Sequence, residues 1–219
     1  GGDTRLTNLS ARGLSGVGAE RIIPGFVVRN GDLPIMLRAV GPTLADFGVE
    51  NPMSDPSLQL IPAPAAGYGS NNNWQDSDGV AAADMNRVGA FALRAGSTDA
   101  ALQATVNAPI TAPIGSTETE NRVVLAELYI DDTTAPGTLV NLSTRAEVGT
   151  GSGNLIGGFV LTGNSPRRCL IRAAGPRLSD FGVEGNLNDP VLEIFRSGES
   201  VPFARNDDWS MSPSSDAIS

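Results

Sequence analysis

Apolar residues fall in short runs separated by glycine, proline, asparagine and aspartate, a pattern of strands and turns rather than long helices. Leu6 to Arg12 predicts a short strand running into a glycine turn, Gly13 to Gly18, and Ile22 to Val28 predicts the next. The Asn30-Gly31-Asp32 turn then predicts a hairpin into Ile35 to Val40. That last run is apolar on both faces apart from Arg38, as expected of a central strand covered on both sides. Leu58 to Ile61 alternates and predicts a half-exposed strand. Val80 to Val88 predicts a short helix, and Phe91 to Leu93, Ala101 to Val106 and Val123 to Ile130 predict strands. Residues 107 to 121 predict an irregular edge or loop, and Asp131 to Gly137 a linker.

Much of this pattern occurs twice. Leu6-Thr7-Asn8-Leu9-Ser10-Ala11-Arg12 returns as Leu139-Val140-Asn141-Leu142-Ser143-Thr144-Arg145, an offset of 133 from Asn8 to Asn141. Ile22 to Val28 returns as Leu155 to Leu161, and Ile35 to Val40 as Cys169 to Ala174, with Arg172 standing for Arg38. The strongest match is Gly41-Pro42-Thr43-Leu44-Ala45-Asp46-Phe47-Gly48-Val49-Glu50 against Gly175-Pro176-Arg177-Leu178-Ser179-Asp180-Phe181-Gly182-Val183-Glu184. Proline suits the first position of a helical turn, and Gly48 supplies the positive φ that stops it. Leu44 and Phe47 would plug one side of the turn into the core. Asp55-Pro56 and Asp189-Pro190 lead to paired strands, Leu58 to Ile61 and Leu192 to Phe195. Loops ending in Trp74 and Trp209 follow.

The expected fold is all-β: a jelly-roll-like antiparallel β-sandwich, tandemly repeated, with short helical turns. Residues 1–138 form the first repeat, and 139–219 a second, incomplete one. A sandwich lacking strands leaves open edges, so the second repeat should pack on the first or on another chain, with self-association as one consequence.

Composition narrows the chemistry. Of 219 residues, 24 are acidic and 15 basic, a net charge of −9, which argues against nucleic acid and anionic membranes as partners. There is no histidine, and every basic residue is arginine. That removes Ser–His–Asp and Cys–His catalysis, Schiff-base chemistry and imidazole metal sites. Cys169 is the single cysteine, so no intrachain disulfide forms. Its alignment with Ile35 reads as core filling. No apolar run approaches the roughly 18 residues of a membrane-spanning helix, so no membrane insertion is expected.

The motifs Asn-Leu-Ser-x-Arg, Gly-Phe-Val, Ile-Arg-Ala-x-Gly-Pro-x-Leu, Asp-Phe-Gly-Val, Asp-Pro-x-Leu and Asn-Asp-Asp-Trp are similar to a tandem repeat of large exported bacterial proteins. The strand order resembles, more distantly, the bacterial pre-peptidase C-terminal β-sandwich. The repeat usually carries a Gly-x-Tyr-Thr-type turn and strand where this chain has Asn107 to Gly115. These resemblances imply a non-catalytic structural or adhesive module, extracellular or on the cell surface. Its partners would be other domains of the same protein or surface glycans.

Candidate site residues are few. Arg38 with Asp46, and Arg172 with Asp180, should form ion pairs pinning the Gly-Pro turn to the central strand, since a buried unpaired guanidinium is costly. Arg12 with Asp55 and Arg145 with Asp189 are analogous pairs. Trp74, Trp209 and Tyr68 are the aromatic candidates for stacking on sugar rings, the basis of an alternative carbohydrate-binding function; burial at the end of a sandwich is the architectural reading. Asp189, Asn206, Asp207 and Asp208 could supply oxygen ligands for calcium, whereas an Asx-rich turn explains them without metal. No other cofactor is implied. Asp46-Phe47-Gly48 spells a kinase motif, but a chain with no lysine has no phosphate-binding lysine to go with it.

Overall fold

The computed structural model describes residues 4–211. The chain is all-β and divides into two compact units, Gly1–Pro166 and Arg167–Ser219. The unit boundary does not coincide with the start of the second sequence copy at 139, because the first two strands of that copy are built into the first unit.

That unit opens with β1 (Arg5–Ser15), β2 (Ile23–Arg29) and β3 (Leu33–Val40). Three short strands follow: β4 (Ser57–Gln59), β5 (Ala66–Gly67) and β6 (Ser70–Asn71). The helix α1 (Ala82–Arg87) precedes β7 (Ala100–Val106), β8 (Ile110–Thr111), β9 (Ile114–Gly115) and β10 (Arg122–Ile130). The copy-two strands β11 (Thr138–Arg145) and β12 (Ile156–Thr162) complete it. One sheet has the order β12-β1-β10-β3-β7-β5, and two smaller sheets run β11-β2-β8 and β6-β4-β9. All the strand pairings are antiparallel.

β3 is the central strand its apolar run predicts. Ile35, Leu37 and Ala39 face a core shared with Leu9, Phe26, Val28, Leu58, Ile110 and Ile114, where the large sheet packs on the small ones. Met36 and Val40 face a second core closed by Leu44, Trp74, Val80, Met85 and Leu93. The period-two alternation of a strand puts both sets on one eight-residue element. Two expectations fail here. Asn30-Gly31-Asp32 does not close a hairpin, because β2 and β3 lie in different sheets and the turn carries the chain between layers. Phe91 to Leu93 is not a strand.

The second copy enters by exchange. β1 pairs with β12, and β2 pairs with β11, so each copy's first strand lies against the other copy's second. The registers correspond: Leu9↔Phe159 and Ser10↔Gly158 on one side become Leu142↔Phe26 and Ser143↔Gly25 on the other. The bulges correspond as well, falling between Leu6 and Asn8 and between Leu139 and Asn141.

The second unit carries β13 (Leu192–Ile194) and β14 (Ala204–Asn206), paired through Leu192↔Asn206 as β4 and β6 are through Leu58↔Asn71. Its Gly-Pro turn, Pro176–Phe181, is a 3-10 helix like Pro42–Phe47. Gly41 and Gly175 share φ of −122° and −121°, and Gly48 and Gly182 both sit at φ 73°. A Cβ on Gly41 would strike the carbonyl oxygen of Met53, and one on Gly175 that of Leu187. The turns match although Thr43 and Leu44 are buried in the first and nothing is buried in the second. Phe47, by contrast, is 62% exposed and Phe181 79%, so neither plugs the core as predicted. Cys169 is exposed too, not core filling.

Gly41→Ala should destabilise the first unit by about 3 kcal/mol, the upper part of the usual overpacking range, because the obstacle is backbone. Urea unfolding of the full chain measures it. Gly175→Ala should leave the first unit's transition in place.

Candidate functional site

The most elaborate polar constellation lies on the β3–β10 pairing. Arg38 on β3 and Glu127 on β10 face each other in register. Arg38 is fully buried and Glu127 is 8% exposed. The guanidinium donates through Nε to Glu127 Oε2 at 3.0 Å, through Nη2 to the same oxygen, and through Nη1 to the Phe91 carbonyl at 2.6 Å. Its Cζ lies 4.3 Å from the Phe91 ring centroid and 5.6 Å from that of Tyr129. Tyr129 donates its hydroxyl to Glu127 Oε1 at 2.8 Å. Burial, reinforced by the Glu127 charge, pushes the phenol far above its ordinary range. With carboxylate oxygens and guanidinium engaged, this is a structural ion pair and not a reactive centre.

The expected partner, Asp46, is elsewhere. It accepts from Arg94 Nε at 3.1 Å and also bonds Arg94 Nη2. That bonding holds the Asp46 carboxyl below its ordinary range. In the second unit Asp180 pairs with Arg177 at 2.9 Å, not with Arg172. The proposed pairs Arg12–Asp55 and Arg145–Asp189 are absent from the ion pairs among the described residues.

What fastens the Gly-Pro turn in the first unit is Asp99, fully buried before β7. Its Oδ1 accepts from the Gly41 N–H at 2.7 Å and the Thr43 N–H at 3.4 Å. Its Oδ2 takes the Thr43 and Ser97 hydroxyls, the latter at 2.6 Å. The same network holds Trp74, whose Nε1 donates to Ser97 Oγ at 3.2 Å and whose backbone N–H donates to the Asp99 carbonyl at 2.8 Å. Neither Asp99 nor Glu127 was singled out by sequence, because neither lies in the stretches that occur twice. The polar cluster Ser97-Thr98-Asp99 directly before an apolar run was the available signal.

The tryptophans part company: Trp74 is 7% exposed and closes a core, whereas Trp209 is 59% exposed. Tyr68 is exposed. Of the calcium candidates, Asn206, Asp207 and Asp208 form a turn at the end of β14, and Asp189 lies in a separate bend before β13. Asn206 Nδ2 donates to the Asp208 carbonyl at 3.1 Å, as Asn71 Nδ2 does to that of Asn73 at 3.0 Å, and Asp207 accepts from Arg205. Among the described residues no three His, Cys, Asp or Glu side chains converge to hold a metal ion.

A polar cleft of about 220 Å³ in the first unit is lined by Arg21, Asp55, Ser57, Gln59 and Asn72 among others. Arg21 Nε and Asp55 Oδ1 are buried there without hydrogen-bond partners. None of the aromatic candidates lines it. No helix among the described residues is long and apolar enough to cross a membrane.

Comparison with family models, with curated proteins and with solved structures finds no match to this chain.

Arg38→Met should cost about 3–5 kcal/mol, since it strands a buried carboxylate. The double variant Arg38→Met/Glu127→Leu should recover most of that loss. A double-mutant cycle in urea measures both, and independence of the two substitutions would contradict the pairing.

Proposed function

We propose that this chain is a non-catalytic structural or adhesive module of an exported bacterial multidomain protein, working through contacts between successive copies of its repeat. The observation that carries this reading is the exchanged joint: β1·β12 and β2·β11 keep one register under a shift of 133 residues. Backbone pairing of this kind couples neighbouring copies by main-chain hydrogen bonds, and parting them would bare two strand edges. The networks around Arg38–Glu127 and around Asp99 are closed on themselves, in keeping with a scaffold. The resemblance to exported tandem β-sandwich repeats points the same way and carries the extracellular assignment.

Carbohydrate binding is the competing reading. Burial withdraws Trp74 from stacking, which leaves Trp209 and Tyr68 as the exposed aromatics that favour it.

Two measurements separate the readings. At the joint, a Cβ on Gly158 would lie 2.6 Å from Ser10 Oγ, and one on Gly25 would lie 3.0 Å from Ser143 Oγ. Gly158→Val and Gly25→Val should therefore each lower unfolding free energy by about 1–3 kcal/mol. Two unchanged stabilities would overturn the joint as the basis of the module. The intact chain, titrated with polysaccharides, should show no saturable change in tryptophan emission; a saturable change abolished by Trp209→Ala would establish the carbohydrate reading instead.

A further inference from the structure

The second unit contains a segment that has the sequence of a central strand and the structure of none. Arg167 to Ala174 corresponds to β3, with Cys169 at Ile35, Arg172 at Arg38 and Ala174 at Val40. In the first unit that sequence is extended and buried between β10 and β7. In the second it forms no strand, Leu170 is 66% exposed, and Ile171 and Arg172 are exposed. None of the ion pairs among the described residues includes Arg172.

We infer that residues 167–174 are the docking site for a separate β-strand of the β10 type, one that carries a glutamate two residues before a tyrosine in an otherwise apolar run. The first unit displays the occupant of the equivalent site. There β10 lies antiparallel to β3 with Leu125↔Val40, Glu127↔Arg38 and Ile130↔Ile35. Transferred to the second unit, the glutamate faces Arg172, the residue two before it faces Ala174, and the residue three after it faces Cys169. The strand supplies the main-chain partners that an extended apolar segment requires, and its carboxylate matches an available guanidinium. The inference rests on the module reading above, since a strand of the repeat itself is the natural source of such an occupant.

Cys169 makes the register directly readable, being exposed and the chain's single cysteine. Facing residues of an antiparallel pair lie about 4.5–5.5 Å apart at Cα, within disulfide reach. The probe is a synthetic peptide with the sequence of residues 118–133, carrying Ile130→Cys as a thionitrobenzoate mixed disulfide, added to the intact chain. Attack by the Cys169 thiolate forms the mixed disulfide and releases thionitrobenzoate, which absorbance follows. We expect release at least tenfold faster than with the same peptide carrying Leu125→Cys, whose cysteine would face Ala174. Arg172→Met in the chain, or Glu127→Gln in the peptide, should slow the reaction at least fivefold at subsaturating peptide. Arg172 is exposed, so its replacement does not put folding at stake. Equal rates for the two cysteine positions, or indifference to both charge substitutions, would overturn the inference. If the peptide fails while Gly25→Val and Gly158→Val still lower stability, only the docked strand is refuted; if those variants lose nothing, the module reading falls as well.

Discussion

A segment that is apolar on both faces can stay extended in a protein only if both of its edges are paired. β3 meets this condition through β10 on one side and β7 on the other, and the two cores then close over its alternate residues. The main-chain groups have their partners before the side chains are buried, so burial costs nothing in unpaired N–H or carbonyl groups. Cys169 to Ala174 has a similar run of residues and no strand beside it among the described residues, and it is irregular and exposed. The contrast lies inside one chain. It identifies β7 and β10 as the elements that turn such an apolar run into a core.

Other elements do not depend on their surroundings in this way. The Gly-Pro turn takes one conformation in both units, partly buried in the first and exposed in the second. Proline fixes φ at its start, glycine adopts the left-handed conformation at its end, and a glycine at the entry lets a carbonyl approach where a Cβ would collide. The β4–β6 and β13–β14 pairs behave likewise, down to the asparagine that bonds the carbonyl two residues ahead. These pieces are encoded within a few residues of themselves. The strand cores are encoded across the whole unit.

This division explains what could be read from the sequence. The longer strands of the first unit, the 3-10 turns and α1 follow from local pattern and were legible. The turn at Asn30-Gly31-Asp32 announces a change of direction but not which sheet the chain enters next, so the hairpin was mistaken. Asp46 looked like the partner of Arg38 because it is eight residues away, whereas Glu127 is 89 residues away and directly opposite in the sheet. Cys169, Trp209 and Phe181 were read through counterparts in the first copy. Alignment reveals equivalent positions, not equivalent neighbours, and two of these three counterparts are buried only because β7, β10 and α1 stand over them. Asp99 was invisible for a related reason: with nothing to align against, a buried carboxylate resembles any other acidic residue.

The Arg38–Glu127 pair has a consequence beyond cohesion. The apolar residues of β10 and β3 would tolerate more than one alignment, since either face of each strand is largely hydrophobic. Sliding β10 by one residue would turn Glu127, and Tyr129 with it, to the opposite face, away from Arg38 and Phe91 and in among Leu9 and Leu37. Two charges would then lie buried and unpaired, each costing several kcal/mol. A hydrophobic pair of the same volume could hold the sheet as firmly and would leave that slip nearly free. The buried ion pair thus contributes more to the choice of register than to stability. A strand with both faces in a core needs such a marker, because hydrophobicity alone does not distinguish its two sides.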